Sequence, residues 1–108
     1  MRFAVRIMRL VEALPNTVQG RTVAAQLCRC GTSVGANYRS ALRSKSHADF
    51  ANKIAIVLEE ADESLFWIEL IVESGILAKD KLEPLAIEAE ELVRIFSATR
   101  RSVRNRES

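Results

Sequence analysis

Residues 46–75 read SHADFANKIAIVLEEADESLFWIELIVESG, and this stretch decides the fold. Phe50, Ile54, Val57, Leu58, Ala61, Leu65, Ile68 and Val72 recur every three or four residues, the spacing of one helix face. Ser46, with Asp49 three residues later, resembles a capping box in which Asp replaces the usual Glu. Gly75 supplies the left-handed stop. A single helix of about 29 residues lies between these signals, roughly 43 Å at 1.5 Å per residue. A helix of that length with one apolar stripe has to bury the stripe against other helices.

Three more helices follow on either side. Upstream, a helix beginning between Thr17 and Arg21 and ending at Leu42 has the core stripe Val23, Leu27, Cys30, Val34, Tyr38 and Ala41. Beside it runs a row of small residues, Ala24, Cys28, Gly31 and Gly35. Glycine costs a helix about 1 kcal/mol relative to alanine, so two on one face predict a close approach by another helix. Before that, residues 2–14 present Phe3, Ile7, Leu10, Val11 and Leu14 on one stripe, and Pro15-Asn16 ends it. Downstream, a fourth helix starts near Asp80–Pro84, with Pro84 expected in or just before its first turn. Leu82, Leu85, Ala86, Ala89, Leu92, Val93 and Phe96 face inward. The expected fold is all-α: an antiparallel up-down-up-down four-helix bundle over residues 1–99. The polar stretch 100–108, with four arginines, reads as a frayed or disordered basic tail.

Charge is segregated along this chain. Residues 1–57 carry +7, residues 58–92 carry −9 and residues 93–108 carry +4. The net charge of +2 therefore hides a basic and an acidic sector, which suits internal charge matching or head-to-tail self-association. A 108-residue domain buries only about 65% of its unfolded surface, so a partner subunit would add stability. No apolar run reaches the ~20 residues of a membrane span and no signal peptide is evident, so a cytoplasmic protein is expected. Cys28 and Cys30 point about 200° apart on a helix; they cannot bridge each other and read as small thiols in a reducing compartment.

Three constellations could carry function. Arg29, Arg39, Arg43, Lys45 and Lys53 form a basic set, with Arg2, Arg6, Arg9 and the tail arginines as extensions; the first four are the candidate nucleic-acid-binding residues. Such a face would hold nucleic-acid phosphates without reading bases; the competing role is salt bridging to the acidic helix. Phe66, Trp67 and Leu70, with Ile56, fall opposite the core stripe of the long helix and form a candidate oligomer interface. Glu63 lies beside them as the acid expected to meet an arginine across that interface. Asn37, four residues after Ser33, could hydrogen-bond across helices. The carboxylates lack the Glu-x-x-His pattern of a di-iron bundle. Neither a nucleophile constellation nor a phosphate-binding glycine loop occurs. No enzyme activity, metal or cofactor is expected.

The segments Gly31-Thr32-Ser33-Val34-Gly35-Ala36-Asn37-Tyr38-Arg39-Ser40-Ala41, Arg43 to Phe50 and Glu59 to Leu70, closed by Gly75, resemble a bacterial four-helix-bundle family. It includes proteins encoded by intervening sequences within 23S ribosomal RNA genes and accessory variability proteins of diversity-generating retroelements. The resemblance spans about residues 7–98. It implies a ring-like homopentamer with a positive surface for RNA or DNA. For members associated with retroelements it also implies a reverse transcriptase partner. In many members Asn-Ile-Ala-Glu-Gly follows the Ser-Val segment, whereas here Asn37 is followed by Tyr38-Arg39-Ser40. The expected function is that of a non-enzymatic, homo-oligomeric nucleic-acid-binding accessory factor. The alternative is an assembly or adaptor module whose charged faces serve only subunit association.

Overall fold

Each helix begins and ends where local chemistry allows. In the computed structural model, which describes residues 1–107, α1 spans Arg2–Glu12, α2 Val18–Leu42, α3 His47–Ser74 and α4 Lys79–Glu107. The Thr17 hydroxyl accepts from the Gly20 N–H at 3.0 Å and caps α2. The Ser46 hydroxyl accepts from the Asp49 N–H at 3.1 Å and caps α3. Each bond satisfies one of the orphan donors at a helix start. Gly75 closes α3 at φ 71°, in the left-handed region that glycine enters without steric cost.

The apolar stripes meet in one core. Ile7, Leu27, Ile54, Val57, Ile68, Ile71 and Leu82 are completely buried. α1 packs on α2 and α4, and α3 packs on the same two; α1 and α3 do not meet. Gly31 permits the α1–α2 approach, since a Cβ there would lie 2.8 Å from two Ile7 carbons. Gly35 has room for a Cβ, with its nearest neighbour 3.8 Å away. Gly20 is tighter than either: a Cβ there would lie 1.9 Å from the Pro15 carbonyl oxygen. That glycine lets the α1–α2 turn fold back onto the first turn of α2, a constraint the sequence pattern does not announce. Ser64 and Ile71 are also buried without belonging to the expected stripe. The Ser64 hydroxyl donates to the Glu60 carbonyl at 2.7 Å and lies 3.3 Å from the Cys30 sulfur, so burying it leaves no unsatisfied group. Burial pushes the Cys30 thiol up, which keeps it neutral.

Two local expectations differ from the structure. Pro84 stands inside α4, as its sixth residue rather than in its first turn. The 3.6-residue pattern around Pro84 holds the helix despite the lost N–H donor. Residues 100–107, read from composition as a frayed tail, continue α4 as helix, and Val103 is buried. Ala89, Phe96 and Val103 recur every seven residues and carry the stripe through the arginines. Arg104 and Arg106 then sit in the last turn, where cations complement the helix dipole. Among the described residues, no helix is long and apolar enough to cross a membrane.

Candidate nucleic-acid interface

The basic residues divide into two groups once the chain is folded. Arg29 lies on the α3 side of α2. Its guanidinium donates to Glu60 at 3.3 Å and to Glu63. Glu63 also accepts from the Trp67 indole N–H at 3.1 Å. That indole bond, followed by Arg29, holds the Glu63 carboxyl below the usual carboxylate range, and the Glu63 bond raises the Arg29 guanidinium in turn. Arg29, expected on a nucleic-acid face, and Glu63 and Trp67, expected at a subunit interface, thus form one cluster within the chain. Its contribution is to join α2 to α3.

Arg39, Arg43 and Lys45 remain exposed at the C-terminal end of α2 and in the link to α3. The fold brings the end of α4 to the same place. Arg100 and Arg104 line a cleft of about 220 Å³ with Ala48, Asn52 and Ala55 of α3 and Val103. The small α3 residues let the arginine stems lie close, with their charged ends in water. One end of a bundle 47 Å long therefore gathers Arg39, Arg43, Lys45, Arg100, Arg101 and Arg104. Lys53 is drawn aside by a 3.1 Å pair with Asp49, whose carboxyl is held low chiefly by that bond. The signal for the α4 contribution was present in the seven-residue recurrence through Val103.

The other expected residues fall as follows. Phe66 is 56% exposed and meets the half-buried Trp67 edge to face, with centroids 5.0 Å apart. Leu70 is exposed beside it and Trp67 packs against the core. Tyr38, expected in the core, is instead exposed at the surface with its ring on Phe96 at 5.5 Å. Asn37 bonds within its own helix, donating to the Ser33 hydroxyl at 2.7 Å and the Ser33 carbonyl at 3.0 Å rather than across helices. Arg6 of α1 pairs with Glu88 of α4 and ties the first helix to the last. Among the described residues, no group of three or more His, Cys, Asp or Glu side chains converges as a metal site.

What this geometry offers is a set of guanidinium groups gathered at one end of the bundle. Guanidinium donors match phosphate oxygens bidentately. The family model described as 23S rRNA-intervening sequence protein matches residues 1–98 of the chain. Among solved structures, a protein of unknown function from the S23 ribosomal protein family of Bacteroides thetaiotaomicron is similar, with 34% identity over 92% of each chain and a TM-score of 0.84. The comparison with curated proteins finds no match.

Proposed function

The chain belongs to the family of 23S rRNA-intervening sequence proteins, and we propose that it acts as a non-enzymatic accessory factor that grips nucleic-acid phosphates with the basic end of its bundle. The observation that carries this reading is the convergence of Arg43 and Lys45 with Arg100 and Arg104 from a distant part of the chain. Arginines supplied by separate helices can straddle successive phosphates, whereas a row on one helix follows only that helix axis. In this reading the bundle is up-down-up-down, works in the cytoplasm and assembles into a ring-like homo-oligomer, a pentamer by family resemblance. A ring repeats the basic end around an axis and multiplies its phosphate contacts.

Fluorescence anisotropy with RNA and DNA duplexes tests the binding. Affinity should fall linearly on a log–log plot against salt, with a slope of about −0.9 per phosphate contacted. Arg43→Glu with Arg104→Glu should weaken binding to all sequences alike and flatten that slope. Absence of binding to either nucleic acid at low salt sinks the proposal.

A second reading, an assembly module without nucleic acid, draws on the Arg29–Glu60–Glu63 cluster, where a basic residue already serves structure. It predicts that charge reversal at Arg43 and Arg104 leaves the binding of any polyanion unchanged.

A further inference from the structure

α1 has 11 residues, whereas α2, α3 and α4 have 25, 28 and 29. Its start lies level with Gly35, where Met1 is the nearest neighbour. Beyond that level the slot between α2 and α4 has no fourth helix over it. A groove of about 350 Å³ opens there, with Phe50 and Ile54 of α3 as floor, Tyr38 and Leu42 as one wall and Ile95 and Phe96 as the other. Leu42 is 64% exposed and Ile95 54%. The lining contains no carboxylate, and its one threonine hydroxyl, on Thr99, donates to the Ile95 carbonyl at 2.9 Å. A small-molecule site would offer several convergent polar groups. This groove offers apolar walls, and the exposed Arg39, one turn after the lining residue Gly35 on α2, stands at its outer edge.

The same chain carries the complementary shape. On the outer face of α3, Phe66 and Leu70 stand one turn apart and exposed, flanked by the exposed carboxylates of Asp62, Glu69 and Glu73. This ridge is apolar at its crest and acidic at its sides; the groove is apolar within and basic at its edge. The two do not lie on one surface. The groove opens on the α1 side, and α3 is diagonal to α1. Along α3 the groove floor at Phe50 and Ile54 is 16 residues from Phe66 and Leu70, about 24 Å at 1.5 Å per residue.

We infer that the groove is the socket for the Phe66–Leu70 ridge of a second copy of this chain. This rests on the homo-oligomeric part of the proposed function and names the two surfaces that would build it. Because socket and ridge are different patches on opposite faces, the contact is heterologous. Each copy uses its ridge on one neighbour and its groove on the other, which yields a ring where the rotation closes. The aromatic crest in an apolar slot supplies the desolvated centre of the contact and the pairing of Arg39 with a carboxylate beside the ridge its register, which leaves Arg43 at the basic end.

The test uses the full chain and two variants at exposed positions, Leu42→Glu in the groove and Phe66→Glu on the ridge, with circular dichroism to verify that both fold. In native mass spectrometry and light scattering at micromolar concentration, the wild type should be an oligomer and each variant alone a monomer. Mixing the two should give a one-to-one heterodimer and nothing larger, since the mixture holds one intact groove facing one intact ridge. Either variant assembling as the wild type does, or a mixture that stays monomeric, overturns the pairing while oligomerisation itself stands. A monomeric wild type overturns both.

Discussion

Gly31 and Gly35 lie one turn apart on α2, yet only one of them is held by its surroundings. At Gly31 a methyl group would be driven into Ile7. Gly31→Ala should therefore destabilise the fold by about 1–3 kcal/mol, as overpacking does. Gly35→Ala has space and should be neutral or stabilising by up to about 1 kcal/mol through helix propensity. Thermal or urea unfolding of the pair checks this, and equal effects at both sites would contradict it. Glu63 has a different signature. Its carboxyl is held low by the Trp67 N–H and by Arg29, so the charged form is favoured by folding. That stabilisation is complete above the ordinary carboxylate value of about 4 and is lost as pH falls through the lower folded value. Glu63→Gln should flatten the decline in melting temperature between about pH 5 and pH 2, and an unchanged acid limb would refute the assignment.

At the level of elements, α4 decides how far the bundle extends. Its last two turns look solvated by composition, but Val103 packs where Ala48 and Asn52 of α3 leave space. Val103→Ala should cost about 1–3 kcal/mol, the scale of burying one aliphatic side chain. Truncation after Thr99 should remove helical signal along with stability. Both are read by circular dichroism, and a truncated chain as stable as the whole would show those turns to be dispensable. α1 acts in the opposite sense. By stopping short it leaves Tyr38, Leu42 and Ile95 uncovered and creates the groove.

Across the whole molecule, the charge pattern becomes a division of labour. Arg29→Gln should lower thermal stability and leave nucleic-acid affinity close to wild type, because its guanidinium already bridges α2 to α3. Arg104→Gln should do the reverse, because it is exposed at the basic end. Parallel melting curves and binding isotherms separate the two, and matching effects in both assays would remove the distinction.

The four helices, most of the core and the outward position of Phe66 and Leu70 were legible in the sequence. These depend on the 3.6-residue period and on caps within a few residues, which are local quantities. The α3 stripe illustrates this, since Ile54, Val57, Ala61 and Ile68 are all buried as their spacing requires. Which charges would meet was not legible. Arg29 and Glu63 are 34 residues apart, and Arg43 and Arg104 come from different helices. Such meetings depend on how far each helix extends past its neighbours and how the elements are rotated about their axes. Those quantities are set when the stripes interlock, by contacts such as Ile7 against Gly31. The sequence by itself determined the helices and the sign of the charge each carries. Only the tertiary structure decided which charges are consumed in holding the bundle together and which are left for a partner.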